Sequence, residues 1–261
     1  MKNNIWLVII LFVFLSVSCS ANKQDPFLLY HKIGKLPIQK VISFSDRGIG
    51  IVQDNKIRFF HWWYDGNGVW DEINDMEIVL PLNCKDVFSN VITLGIIINN
   101  KINFYFLDDS NWKEENEKTF ILPKNCQGAF VFSTGIGIIA DNKIKFYNFN
   151  EDKKNWEEIP EIEFVLPENC KGVFEFGYGD LFVIVDNRIK IFTKKINDEE
   201  NNSYWIEINE AEYILDNNYR AVVNMRFWLG IANDNEVKVY NYFEDGWEEL
   251  ENVIFNYNKL N

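Results

Sequence analysis

Five tryptophans, Trp70, Trp112, Trp156, Trp205 and Trp247, stand beside turns rich in Asn, Asp and Gly, as in "YDGNGVW", "LDDSNW" and "YFEDGW". An indole face with amide or carboxylate neighbours can stack on a sugar ring and hydrogen-bond its hydroxyls. The five are therefore the candidate ligand-binding residues, although the same rings could also pack inside a sheet protein. Carboxylates are plentiful, and glycoside hydrolysis needs only two of them placed across one bond. The acids here recur, however: Asp54, Asp141, Asp186 and Asp234 at turns, and Glu157, Glu158, Glu248 and Glu249 beside Trp. Repeated acids serve solubility more readily than a single reaction centre, so no catalytic residue is assigned and a non-enzymatic protein is expected.

Other chemistry is thin. His31 and His61 fall outside any recurring pattern and neither has a partner four residues on, which argues against a metal site of the usual kind. His61 lies in "FFHWWYDGNGVW", where it reads as a strand-end residue among packed rings. The loop Asp65-Gly66-Asn67-Gly68 lacks the later bidentate Glu of a calcium loop. No metal and no cofactor are expected. Cys84, Cys126 and Cys170 occupy one recurring place, "LPLNCK", "LPKNCQ" and "LPENCK", and read as small buried turn residues rather than disulfide partners. A basic or amide residue also recurs, at Arg58, Asn103, Lys145, Lys190 and Lys238, with stems that would cover apolar surface.

These residues recur because the chain does. The segments "IGIVQDNKIRFF", "LGIIINNKINFY", "IGIIADNKIKFY", "LFVIVDNRIKIF" and "LGIANDNEVKVY" begin at Ile49, Leu94, Ile136, Leu181 and Leu229. Each is followed by one of the five Trp. Strand formers dominate, with 22 Phe, 11 Tyr and 9 Trp in 261 residues. In the third copy the expected strands are 128–133, 136–140, 143–149 and 161–166, with Asp141-Asn142 as a tight hairpin turn. Several strands are apolar on both faces, as a sheet between two others requires. Four-stranded units of ~40 to 50 residues in tandem are the mark of a propeller. The expected fold is all-β, a five-bladed β-propeller of four-stranded antiparallel blades, preceded by an N-terminal signal helix. Blades are placed at about 37–80, 81–122, 123–166, 167–215 and 216–261 within a propeller of residues 27–261. Both 27–36 and 253–257 could supply an outer strand to the last blade, which would join the two ends of the chain.

The leader has a signal-peptide layout: one Lys in the first four residues, an apolar run from Ile5 to Leu15, then small residues. The run is shorter than the ~20 residues that cross a bilayer, so a permanent transmembrane helix is the weaker reading. "LSVSC" resembles the lipobox of bacterial lipoproteins, which implies lipidation of Cys19, a signal peptide over 1–18 and a tether over 19–26. Leu15 stands four residues before Cys19, where the lipoprotein pattern places its large aliphatic residue three before; cleavage after Ser20 or Ala21 is the alternative. Acyl chains such as palmitate would anchor the protein durably, since each buried methylene contributes ~0.8 kcal/mol. The expected location is therefore the periplasmic or cell-surface face of a bacterial membrane.

The segment "KVYNYFEDGWEEL" is similar to blades of propeller lectins, including fucose-binding ones. That resemblance implies a glycan ligand. Five-bladed propellers also include glycoside hydrolases, which keeps a hydrolase as an alternative, beside an envelope-assembly scaffold with a protein partner. The formal net charge of −13 repels phosphate backbones, so no nucleic acid is expected.

Overall fold

The computed structural model describes residues 38–257, apart from 64–67, 91, 109–110, 134, 178, 198–201, 226–227 and 244–245. The expected signal helix, Cys19 and the 27–36 segment lie outside the described residues. Within them stand five antiparallel sheets, over 38–79, 84–121, 126–165, 170–214 and 221–256. In the first, strands Ile38–Phe44, Gly48–Gln53, Lys56–Trp63 and Val69–Glu72 are neighbours in that order. The first strands of the five sheets, Ile38–Phe44, Cys84–Ser89, Cys126–Phe132, Cys170–Phe176 and Ala221–Met225, contact one another in a closed ring. The chain is a five-bladed β-propeller with these strands innermost.

The fourth position of each blade differs from the expectation. Residues 161–166 do not form one strand: Asn155–Glu158, which carries Trp156, is the outer strand, and Pro160–Ile162 is a single 3-10 turn. Only Phe164–Val165 then returns to pair with the third strand. The backbone leaves the sheet at Ile159, whose amide still reaches Phe146 O at 2.8 Å, and Pro160 starts the turn, where its missing N–H costs nothing. All five blades make the same detour, at Asn74–Met76, Asn116–Lys118, Pro160–Ile162, Asn209–Ala211 and Glu251–Val253.

The detour aims a carbonyl at the next blade. Trp156 Nε1 donates to Lys118 O at 2.8 Å, Trp205 to Ile162 O at 3.1 Å, Trp247 to Ala211 O at 2.9 Å and Trp70 to Val253 O at 2.9 Å. Each acceptor is the last residue of the preceding blade's turn, and Trp70 takes the fifth blade as its predecessor. Trp112 breaks the series: its ring packs 5.4 Å from Phe59, but its buried indole nitrogen has no hydrogen-bond partner. Two residues after each Trp a glutamate binds the recurring third-strand donor: Arg58 to Glu72, Asn103 to Glu114, Lys145 to Glu158, Lys190 to Glu207 and Lys238 to Glu249. Pairs this exposed stabilise by only ~0–1 kcal/mol each.

The cores lie in the five seams, because every buried cluster combines side chains of two adjacent blades. One unites Phe88, Ile102 and Phe104 of the second blade with Ala129, Val131 and Ile136 of the third. In the next seam Gly137 makes room: a Cβ on it would sit 2.3 Å from Phe130 Cζ, and Phe130 packs with the fourth blade. The last seam joins Ile49, Ile51 and Trp70 to Met225, Val237 and Phe255. Among the described residues the ring closes through this apolar seam and not through exchange of a strand between chain ends, and Phe255–Asn256 completes the fifth blade.

The three cysteine thiols each point at the carbonyl two residues on, at Asp86, Gly128 and Gly172, beside a break in strand register. Burial pushes Cys84 and Cys126 up to about 11, so both are protonated thiols at neutral pH. Native protein should therefore react with a maleimide at pH 7 far more slowly than the unfolded chain. For the seams, Trp156→Phe should destabilise by about 1–3 kcal/mol, the cost of leaving a buried acceptor unpaired, whereas Trp112→Phe has no bond to lose and should cost less. Denaturant unfolding of the two variants makes the comparison.

Candidate functional site

The five candidate tryptophans occupy the seams. Trp70 is 5% exposed, and Trp112, Trp156, Trp205 and Trp247 are half-buried against Phe59, Phe104, Phe146 and Phe182 of the preceding blade. Their indole N–H groups, Trp112 excepted, are already used. The five-site arrangement is thus a set of seam anchors with partly covered ring faces. The recurring basic row is likewise engaged with glutamates of its own blade.

What breaks the repeat is more informative. The first and third strands of a blade run the same way, since each is antiparallel to the second, so both end on one face of the disc. On the opposite face the repeat is kept. There the second and third strands join through Asp54-Asn55 and Asp141-Asn142, residues with positive φ of 49° and 65°, 51° and 60°, which Asn and Asp tolerate best. Toward the first face the third strand carries different residues at the aligned positions of every copy: His61-Trp62-Trp63, Phe106-Leu107-Asp108, Asn148-Phe149-Asn150, Thr193-Lys194-Lys195 and Asn241-Tyr242-Phe243, with the strand of the fourth copy running on to Asn197.

The first strands also diverge there. Residues in register with Ser43 are Ser89, Val131, Glu175 and Asn224, and together they line the central channel. Three residues earlier along the strands, Lys40 stands beside Asp86, with Nζ 2.5 Å from Asp86 Oδ1 and 2.5 Å from Val87 O. Lys40, Asp86 and Glu175 are all buried. Burial pushes Glu175 up to about 7, against the backbone N–H of Ser133, which favours its charged form; Asp180 raises it further. Asn224 Nδ2 donates to Glu175 O at 2.5 Å, and Ser89 Oγ donates to Ser43 O. The channel holds about 50 Å³, room for a few waters at ~15 Å³ each.

A second group sits at the rim of the same face. Trp63 is 49% exposed and its ring lies 4.4 Å from that of His61, whose buried Nδ1 has no hydrogen-bond partner. Burial lowers the His61 pKa, and the Arg47 charge lowers it further, so the imidazole is neutral at pH 7. Arg47 itself lies over Trp228, 5.5 Å from the ring centroid, and Trp228 meets Trp62 edge-on at 5.6 Å. Sequence reasoning read His61 as a strand-end residue among packed rings and passed over Trp63, Arg47, Trp228, Lys40, Asp86, Glu175 and Asn224, because it weighed chiefly residues that recur. The available signal was the reverse: polar and aromatic residues at aligned positions where the five copies disagree.

No family model and no curated protein matches the sequence. Among solved structures, the chain is similar to Kluyveromyces lactis Hsv2, at 12% identity over 84% of this chain and 64% of that one, with a TM-score of 0.45. It is also similar to Hsv2 from Kluyveromyces marxianus, at 12% identity over 80% of this chain and 77% of that one, TM-score 0.45. A third likeness is to the WD40 domain of SCAP from fission yeast, at 11% identity over 60% and 38% of the two chains, TM-score 0.36. The chain therefore spans less than two thirds of the Kluyveromyces lactis Hsv2, and similarity at this level transfers neither ligand nor partner.

Proposed function

We propose that this chain is a lipid-anchored, non-enzymatic recognition module of a bacterial cell envelope, binding a glycan on the face where the first and third strands end. One observation carries the binding reading: the repeat is kept on one face of the disc and broken on the other, where Trp63 lies half exposed beside an unpartnered His61 nitrogen. An open indole next to a neutral imidazole suits a sugar ring with hydroxyls to bond. The anchor rests on the resemblance of "LSVSC" to a lipobox, with Cys19 as the acylated residue.

Two other readings have an observation each. Asp86 and Glu175 are unrepeated acids in the channel, as a propeller hydrolase would need. However, Asp86 is bound to Lys40, and the space of about 50 Å³ is far below the ~300 Å³ at which ligand pockets begin. A scaffold that binds protein is favoured by the outer rim, where Val79, Ile121, Val165 and Ile214 are exposed at equivalent positions of four blades.

On a glycan array, Trp63→Ala should abolish retention while the melting temperature stays within a few degrees of the parent, since that ring is half in solvent. Retention that survives in Trp63→Ala but disappears in a variant carrying serine at Val79, Ile121, Val165 and Ile214 would favour the protein-binding rim. Metabolic labelling with palmitate should mark the full-length protein and leave Cys19→Ala unlabelled; equal labelling of both removes the anchor.

A further inference from the structure

We propose that the channel layer at the variable face binds a hard metal cation with part of its water shell, held by the Glu175 carboxylate, Asn224 Oδ1 and Ser43 Oγ. This assignment is independent of any glycan at the rim. Ser43 is 6% exposed and its Oγ has no hydrogen-bond partner, and Asn224 Oδ1 has none either. The amide orientation is set, because Nδ2 donates to Glu175 O at 2.5 Å and Oδ1 is the atom left without a partner. Glu175, 7% exposed, lines the same space. Buried oxygens that lack donors call for one, since unpaired acceptors are rare in native interiors.

The surroundings select the donor. In register with these groups stand only Ser89, whose hydroxyl is given to Ser43 O, and Val131, which offers nothing. The Lys40 ammonium is three residues away and bonded to Asp86 and Val87 O. Space of about 50 Å³ admits an ion with a few waters and little more. All the ligating atoms are oxygen, which favours Ca²⁺, Mg²⁺ or Na⁺ over softer metals. Among the described residues no three of His, Cys, Asp and Glu gather into a metal cluster, so a single carboxylate supplies the charge and the affinity falls at the weak end, ~10⁻⁴–10⁻³ M.

The test is calorimetric titration of the full chain, freed of metal by chelation, with Ca²⁺, Mg²⁺ and Na⁺ separately, alongside thermal melting. The expected result is saturable binding of one cation at pH 8 and a higher melting temperature with it. Glu175→Gln should bind no cation, and in chelator at pH 8 it should melt above the parent. If that variant fails to fold, Asn224→Asp, which adds charge at the same place, should bind about tenfold more tightly. The proposal is overturned if no cation gives a saturable isotherm, or if melting shifts equally with all three salts and persists in Glu175→Gln, which would leave only water in the channel.

Discussion

The indole N–H bond that four of the five outer strands send to the preceding blade's 3-10 carbonyl is the contact on which the disc depends. A propeller blade cannot bury its own faces; it needs a neighbour at a fixed distance and angle, and loosely apposed apolar sheets would not define one. A hydrogen bond from a rigid ring to a backbone acceptor does. It explains why the outer position is split in two in the four blades that supply the acceptor: the interruption lifts a carbonyl out of the sheet so that it can receive the bond. The Trp-x-Glu spacing joins the two duties of that strand, since Trp reaches across the seam while Glu holds the third strand of its own blade.

Seam packing also accounts for closure. Among the described residues each sheet is built from one contiguous stretch of chain, and the last seam is assembled from side chains as the other four are. Short loops within blades keep most contacts local, a topology whose entropic cost of loop closure is paid in small steps.

The architecture was legible because it is written five times. Hairpin turns, the Ile-Gly-Ile or Leu-Gly-Ile of four copies and the Trp each repeat at a fixed place, and repetition turns weak local preferences into a firm reading. The split outer strand was not legible, since "EIEFVL" alternates as a strand should, and only its tertiary task bends it into a turn at Pro160–Ile162. The roles of Trp156 and its counterparts were ambiguous for a related reason: an aromatic residue beside polar turns looks alike whether it meets a sugar or another blade. The channel groups were hidden because Lys40, Asp86, Glu175 and Asn224 are dispersed over 185 positions of sequence and meet only once the ring forms.

The solitary indole of Trp112 means that the disc is not mechanically uniform. At the rim four joints are clasped by an indole bond, whereas the joint between the first two blades leaves the Trp112 donor unmet there and is fastened near the channel instead, by Lys40 to Asp86 and Val87 O and by Ser89 to Ser43 O. Fluctuations in proteins concentrate where local stability is least. Breathing of the ring should then be directional, opening at the outer edge of this joint while its channel side stays fastened, and the aromatic rim formed by His61 and Trp63 belongs to the first of the two blades.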